Sequence, residues 1–551
     1  MGMTNKKHMQ KTKYIFVIGG VLSGVGKGVT AASIGRIFQN RGFKVSAIKI
    51  DPYINIDAGT MNPVEHGEVF VTEDGDETDQ DLGNYERFLE TNIYSYNYMT
   101  TGRVYMSVIE KERGMQYKGR CVQVVPHIPM EVVARIKNAS KKNKAELMVV
   151  EIGGTVGEYE NILFLEAARM MKLDAPEDVA FVLVSYMPVP SHLGEMKTKP
   201  TQHAARTLNN SGIQADFIVA RGQEVLDKPR REKLAFFCWL RSPDDVIAAP
   251  DVPSIYEIPN VLEKQKFASL LMKRLKMKTR PLMDRRWDNF VARMNKASRS
   301  LKIAVVGKYF ATGKYTLADS YISVINAVKH AAWHNDTNPE LVWFDSEDFE
   351  KDPAKVKELK NYDALIVPGG FGTRGIEGII KAIQFARENN LPYLGLCYGM
   401  QLAAVEFARN VLGYADAHTV ECDPNSKHLI INVNPGQADN IKHGRYGGTM
   451  RLGAYDCVLK ENSLARQLYG AKKISERHRH RYEFDNKYRE AMEKKGLMMT
   501  GVNPQANLVE IIELKNHPFF VGVQFHPEFK SRFLTPHPLF VGLVKAALKK
   551  N

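Results

Sequence analysis

Short, continuous apolar runs recur along this chain, and two of them open its halves: "KYIFVIGG" at residues 13–20 and "LKIAVVGKY" at 301–309. Each is an apolar stretch that meets glycine, which predicts the first strand of a parallel sheet with a helix to follow. Further buried strands are predicted in "KVSAIKID", "AELMVVEIGG", "DVAFVLVSY" and "ADFIVARG" of the first half, and in "YDALIVPGG", "LPYLGLC" and "FFVGVQFHPE" of the second. Helical patterns intervene, over 31–41, 379–389 and 400–410. Strand and helix alternating in this way predicts an α/β fold with two doubly wound sheets, one per half. The divisions expected are a polar tail at 1–12, a first domain at 13–275, a basic interdomain linker at 276–300 and a second domain at 301–551.

Composition narrows the class. With 551 residues, 44% of them hydrophobic and 25% charged, each half can bury a sizeable core. No apolar run approaches the roughly 18–20 residues needed to span a membrane. The opening "MGMTNKKHMQKTK" is polar and basic without an apolar stretch, so no secretory signal is expected. Five scattered cysteines (Cys121, Cys238, Cys397, Cys422, Cys457) form neither a disulfide framework nor a metal-spaced pair, which points to a reducing cytoplasm. The net charge of +14 suits polyphosphate ligands. Its densest cluster, residues 273–302, holds eleven basic and two acidic residues and reads as a solvated connector. No nucleic-acid-reading motif or interleaved aromatics accompany it, so nucleic acid is not expected as a partner.

The stretch "GGVLSGVGKGVT", residues 19–30, follows the first strand. Its glycines let the backbone turn and aim N–H groups at phosphate oxygens, while Lys27 and the start of a helix add positive charge. The usual pattern puts a hydroxyl directly after the lysine to help hold Mg²⁺, and here that position is Gly28. A metal then needs carboxylates. Glu151 closes the strand of "AELMVVEIGG", and "VTEDGDETDQD" offers Glu73, Asp74, Asp76, Glu77, Asp79 and Asp81, among which spacing does not choose. "GEMKTKPTQH" brings lysines, threonines and a glutamine suited to a second triphosphate. His66 in "NPVEHGEVF" is a candidate ligand or gate.

The second half carries a different chemistry. In "YLGLCYGMQLAAVEFARN", Cys397 sits between strand and helix with Gly395 and Gly399 on either side, a nucleophile elbow with sulfur in place of oxygen. The positive end of the following helix favours the thiolate. Downstream, "FFVGVQFHPEF" supplies His526 and Glu528. Two residues apart on an extended strand, they face one side, so Glu528 can orient His526 as general base to Cys397. The Tyr398 amide can donate to an oxyanion, with a second donor expected at Gly370 in "IVPGGFG".

"PGGFG", "GLCYGMQ" and "QFHPE" together resemble the class I glutamine amidotransferases, which release ammonia from glutamine. The resemblance implies Cys397, His526 and Glu528 as the triad and Gly370, Tyr398, Gly399, Met400, Gln401, Glu421 and Arg481 as glutamine contacts. Ammonia beside a phosphate-binding half describes an ATP-dependent amidoligase. For the acceptor, "YIFVIGGVLSGVGKG", "KIDPYINIDAGTMNP", "HGEVFVTEDGDETDQDLGNYERF", "VEIGGTVGEYE" and "KTKPTQH" resemble the CTP synthase family along the length of the first half. That resemblance implies a P-loop-like, dethiobiotin-synthetase-type amidoligase domain followed by a Rossmann-like amidotransferase domain. It implies amination of UTP to CTP through a 4-phosphorylated uracil, with ATP and Mg²⁺ and no organic prosthetic group. The metal ligands it implies are Asp81 and Glu151. It carries ATP contacts onto Gly24, Val25, Gly26, Lys27, Gly28, Val29 and Asp81, with Pro250, Asp251 and Val252 on the adenine side. UTP and CTP contacts fall on Ser23, Glu158, Tyr159, Glu160, Lys197, Thr198, Lys199, Pro200, Thr201, Gln202 and Lys233. The family further implies feedback inhibition by CTP, activation by GTP near "FGTRGIEG", homotetramers and filaments. His66 is then a candidate to line the ammonia path. The alternatives are a cobyrinate-diamide-type amidoligase, against which "KTKPTQH" and "DPYINIDAGTMNP" speak, and a partitioning-type ATPase, against which the intact Cys–His–Glu set speaks.

Overall fold

The computed structural model describes residues 11–550 except 21, 63–66, 192–193, 309–310, 313–314, 317 and 435–447. His66 therefore lies outside the described residues. The chain divides into two compact units, one drawn from Met1–Ile56 and Asn84–Val291, the other from Asp57–Gly83 and Ala292–Asn551. Among the described residues no helix is long and apolar enough to cross a membrane.

In the first unit, seven described strands form one parallel sheet: β1 Lys13–Gly19, β2 Val45–Asp51, β3 Tyr98–Thr100, β4 Leu147–Ile152, β5 Val179–Tyr186, β6 Phe217–Gly222 and β7 Val246–Pro250. Their order across the sheet is β3-β2-β4-β1-β5-β6-β7, each neighbour parallel. Both faces are covered by helices, which is why β4 and β5 read as unbroken apolar runs rather than alternating ones. The five predicted strands are present; β3 and β7 were not predicted. Helix α1, Lys27–Gln39, follows β1 directly, and α2 (Asp81–Leu89) and α3 (Lys199–Asn210) come later in the chain.

Part of the basic connector is packed rather than solvated. Arg286–Met294 forms helix α4, and its Trp287 is fully buried. The indole N–H donates to the Tyr256 carbonyl at 2.9 Å, and the ring lies 5.2 Å from Phe88 and 5.9 Å from Tyr256. The Arg36 guanidinium stands 5.0 Å from the ring centroid. A single large aromatic anchors an otherwise charged stretch, a signal that net charge hides.

The second unit is built on a nine-stranded sheet among the described residues. Its strands are β8 Arg299–Gly307, β9 Thr337–Asp345, β10 Ala364–Val367, β11 Tyr393–Leu396, β12 Arg451–Leu459, β13 Lys473–His480, β14 Leu497–Val502, β15 Val509–Leu514 and β16 Phe520–Val523. The order is β9-β8-β10-β11-β16-β15-β14-β12-β13. The first five are mutually parallel; β15, β14, β12 and β13 extend the sheet as antiparallel strands. The parallel part was predicted from its apolar runs. The antiparallel part was not, because β12 alternates buried and partly exposed positions and β13 is rich in charged residues. Helices α5 (Ile322–His334) and α6 (Tyr398–Asn410) pack against the parallel strands.

The segment Asp57–Gly83 belongs to this second unit although it interrupts the first in sequence. Its strands Val69–Val71 and Glu77–Asp79 pair as an antiparallel hairpin. Three carboxylates fasten it. Glu68 accepts from the Ser323 amide in the first turn of α5 (3.2 Å), Glu73 pairs with the fully buried Arg477 (2.9 Å), and Glu77 with Arg479 (2.8 Å). Removing the anchoring indole of α4 tests the packing of the connector: Trp287→Ala is expected to destabilise the first unit by about 3–5 kcal/mol, read from denaturant unfolding.

Candidate active site

Cys397 stands at the end of β11, immediately before α6, with φ 49° and ψ −96°. A non-glycine residue at positive φ is strained, and here the strain lifts the thiol out of the sheet at the turn. The flanking glycines are sterically required. A Cβ on Gly399 would stand 2.3 Å from the Val367 carbonyl oxygen, and one on Gly395 would stand 2.5 Å from the Tyr393 hydroxyl. The Cys397 amide is itself fixed, donating to the Val523 carbonyl of β16 at 2.7 Å.

His526 and Glu528 meet, but not by the expected geometry. Strand β16 ends at Val523, His526 has φ −110° and ψ 82°, and Pro527–Lys530 is a 3-10 turn. The strand has already ended before His526, and the turn that starts at Pro527 brings Glu528 back so that His526 Nδ1 lies 2.7 Å from Glu528 Oε1. Nδ1 therefore carries the proton, leaving Nε2 for the sulfur. The Phe529 ring stacks on the imidazole, centroids 5.1 Å apart. Burial works against the imidazolium, but the Glu528 carboxylate and the Cys397 sulfur outweigh it and raise His526 to about 10.

These groups open onto a cavity of about 610 Å³. Its wall includes Cys397 and His526 together with five of the expected glutamine contacts: Gly370, Tyr398, Gln401, Glu421 and Arg481. Gly399 and Met400 lie beneath it in the first turn of α6, Met400 wholly in the core. Glu421 accepts the Gly372 amide at 2.9 Å, and burial raises its carboxyl. Arg481 donates to the Thr449 hydroxyl at 2.9 Å. An acid and a guanidinium on one cavity suit the two charged ends of an amino acid.

Several residues of this site were missed from sequence. Gly59, Thr60, Glu68 and Val69 of the hairpin segment line the cavity with the triad. "DAGTMNP" and "HGEVF" had been matched to a family without a role for these positions. Lys308, buried at the end of β8's run, donates to the Gly372 carbonyl at 2.6 Å and lies over the Tyr398 ring; burial lowers it to about 8. Gln524 donates to Cys397 Sγ at 3.6 Å. Its neighbour His526 drew the attention that a buried amide does not.

In the first unit four segments converge at the carboxyl ends of the strands, where an open α/β sheet binds ligands. Gly24 and Gly26 take φ values of 67° and 87°, and Gly26 caps α1. Lys27 donates to the Gly154 carbonyl at 2.8 Å, and the Val156 amide to the Gly19 carbonyl at 2.9 Å, so the loop after β4 lies against the loop after β1. Glu158, in that second loop, accepts from Thr155 at 2.6 Å, while Tyr159 and Glu160 are exposed. Helix α3 packs beneath: a Cβ on Gly20 would meet Ala204 at 2.8 Å, and Thr201 bonds Ser185 at 2.9 Å. This sets Lys197 and Thr198 at the mouth of α3, with Gln202 bonded to Thr198 at 3.0 Å and Lys199 exposed. Lys233 is exposed and acts on Glu195, the partner of Lys197. Arg221, unremarked in the sequence, stands 3.4 Å from the Cβ position of Gly26 and bonds Asp251 at 3.0 Å, which joins the 250–252 segment to the loop.

Glu151 is almost wholly buried and is bound by Lys49 at 2.9 Å and by the Tyr85 hydroxyl. Asp51 lies 3.7 Å from the same lysine. A Mg²⁺ ion travelling with a nucleotide takes one or two carboxylates and completes its shell with phosphate and water. Glu151 fits such a role, a hard oxygen donor held rigidly at a strand end with a cation balancing its charge. Asp81 opens α2, its amide bound to Asp79 at 2.9 Å; it belongs to the second unit and Glu151 to the first.

A strained cysteine elbow backed by a histidine–carboxylate pair, on a partly parallel α/β sheet, defines a class I glutamine amidotransferase half joined to a phosphate-loop half. The comparisons with known proteins agree. Residues 13–277 match the family described as CTP synthase N-terminus, and residues 316–546 match glutamine amidotransferase class-I. The chain is 48% identical to a CTP synthase of Clostridium kluyveri over 98% of this chain and 99% of that one. It is 49% identical to that of Caldanaerobacter subterraneus over 97% and 98% of the two chains. Among solved structures, the glutaminase domain of a Trypanosoma brucei CTPS with bound acivicin is 35% identical over 46% of this chain and 95% of that one, with a TM-score of 0.42. The chain belongs to the CTP synthase family, and it is an enzyme, a glutamine-hydrolysing ligase.

Beside the cavity, two buried carboxylates share one guanidinium: Arg451 lies 3.3 Å from Glu483 and 2.7 Å from Glu510. Burial outweighs the cation and pushes Glu483 up to about 8 and Glu510 to about 7, from an ordinary value of 4.5. Between those values the folded chain holds protons that the unfolded chain releases, so stability is greatest at the acid end of the window and is lost as pH rises. The thermal midpoint of the second unit is expected to fall between pH 6 and pH 9, with a smaller fall in Glu483→Gln, measured by calorimetry.

Proposed function

We propose that this chain aminates UTP to CTP, with the net reaction UTP + ATP + glutamine + H₂O giving CTP + ADP + phosphate + glutamate. The observation that carries the reading is the Cys397–His526–Glu528 arrangement on a cavity with Glu421 and Arg481, in a chain whose other unit gathers a phosphate loop, Glu151 and Lys197.

In the second unit, Glu421 and Arg481 take the charged ends of glutamine and leave its amide carbon facing Cys397. The sulfur attacks that carbon, and the amides of Tyr398 and Gly370 receive the developing oxyanion. His526, held by Glu528, protonates the departing nitrogen, then draws a proton from the water that cleaves the thioester. Glutamate and ammonia result, and Cys397 is restored.

In the first unit, residues 24–29 cradle the ATP phosphates with backbone N–H groups and Lys27. Glu151 and Asp81 would hold Mg²⁺, which when bound neutralises charge on the transferring phosphoryl group. Ser23, Glu158 to Glu160, Lys197 to Gln202 and Lys233 bind and orient the pyrimidine nucleotide. The γ-phosphoryl group passes from ATP to O4 of the uracil. Ammonia then adds at C4, and the C4–O bond breaks to release phosphate. Pro250 to Val252 border the adenine, with Arg221 tying Asp251 to the loop. CTP as inhibitor, GTP as activator, a homotetrameric state and a cytoplasmic location complete the reading by family likeness.

CTP and ADP formation, followed with either glutamine or an ammonium salt as nitrogen source, tests the proposal. Cys397→Ala is expected to lose glutamine-dependent synthesis by at least about 10³-fold while keeping the ammonium reaction. Glu151→Gln is expected to lose both. Absence of CTP from wild type under every condition, GTP included, would overturn the acceptor assignment.

A further inference from the structure

Around Cys397 lie two glutamines with almost no exposure: Gln524 at 0%, which does not line the cavity, and Gln401 at 3%, which borders it. A buried amide is costly unless its donors and acceptor are matched. Here the matching has a direction, and a backbone carbonyl sets it. The Tyr482 carbonyl can only accept. Gln401 Nε2 lies 3.0 Å from that oxygen, so the amide nitrogen of Gln401 faces it. The same nitrogen is 3.2 Å from Gln524 Oε1, which must therefore be the acceptor. That orientation leaves Gln524 Nε2 as the group 3.6 Å from Cys397 Sγ, an N–H aimed at the sulfur.

The same carbonyl serves a second donor. The Tyr482 carbonyl also receives His480 Nδ1 at 3.1 Å, and His480 Nε2 lies 2.9 Å from His478 Nδ1. Since the carbonyl takes a proton from His480 Nδ1, His480 Nε2 accepts from His478. Two arms thus meet on one carbonyl, each donating toward it, and the carbonyl has a lone pair for each. The Gln524 backbone is tethered as well, its main-chain N–H donating to the Glu510 main-chain carbonyl at 2.9 Å.

We propose that Gln524 is a thiolate-stabilising donor of the glutaminase, its N–H turned to Cys397 Sγ by Gln401 and the Tyr482 carbonyl. An N–H donated to a charged sulfur is roughly twice as strong as one donated to a neutral thiol, so the contact favours the nucleophilic form. Gln524 is wholly buried and does not line the cavity, so it reaches the sulfur from the protein interior. The assignment rests on the reading of Cys397 as the nucleophile of this site.

The test compares wild type with Gln524→Leu and Gln524→Met, which keep the approximate size of the side chain and remove the donor. Alkylation of Cys397 by iodoacetamide at pH 7 is followed by mass spectrometry of the Cys397 peptide, alongside steady-state glutamate release. Both variants are expected to alkylate about tenfold more slowly and to lose kcat by a similar factor, with KM for glutamine within about twofold. Gln401→Leu, which leaves Gln524 in place but frees its amide to turn, is expected to slow alkylation by a smaller factor. Ammonium-dependent CTP formation in the same preparations reports the folded fraction. If neither Gln524 variant folds, the Gln401→Leu rate decides. Alkylation at the wild-type rate, or a loss expressed in KM alone, would overturn the role of Gln524. Wild type that releases no glutamate and whose Cys397 reacts no faster than the exposed Cys121 would instead overturn the nucleophile itself.

Discussion

The hydrogen bond from the Cys397 amide to the Val523 carbonyl, at 2.7 Å, is the constraint on which the second unit's chemistry depends. It ties the last residue of β11's path to β16, and so fixes the strained backbone that presents the thiol. Directly after Val523 in the chain come Gln524, His526 and Glu528. The register between β11 and β16, with Leu396 opposite Val523, thereby sets the nucleophile and its base in one frame. Gly395 and Gly399 exist to permit that frame, since a methyl group on either would overlap backbone or ring oxygen.

Around that frame the electrostatics divide the labour. His526 is the histidine whose charge is favoured, supported by Glu528 and the sulfur. His478 and His480 are driven the other way by burial, with the charges of Arg451 and His526 adding to the effect. Neutral histidines can hand hydrogen bonds along a line without competing for the proton His526 needs. The surrounding acids follow the same logic, Glu483 and Glu510 sharing one guanidinium.

What the sequence made legible follows from how each feature is encoded. The parallel strands announce themselves as apolar runs because both of their faces are covered. Cys397, with glycines two residues away on each side, is a local signal, and so is the glycine-rich loop. The link between His526 and Glu528 was anticipated, yet for a strand that ends before it begins; Pro527 was the residue to weigh. Antiparallel strands β12 and β13 were missed because their charges, Arg451, Glu476 and Arg477 among them, are buried by partners that lie largely elsewhere in the sequence. Lys49 and Tyr85 at Glu151, and Arg221 at Gly26, belong to the same kind: each is one polar residue in a plain context, given meaning by a contact that no local pattern records.

The hairpin segment Asp57–Gly83 has a consequence for how such a protein can be taken apart. Arg477 and Arg479 find their counter-charges in Glu73 and Glu77, and the Glu68 carboxylate caps the first turn of α5. A gene cut at the basic connector would therefore divide neutral pairs into a cationic piece and an anionic one. The exchangeable module of this protein is two stretches of chain, inherited apart and used together, so recombination that respects the sequence boundary would still break the unit that carries the cysteine.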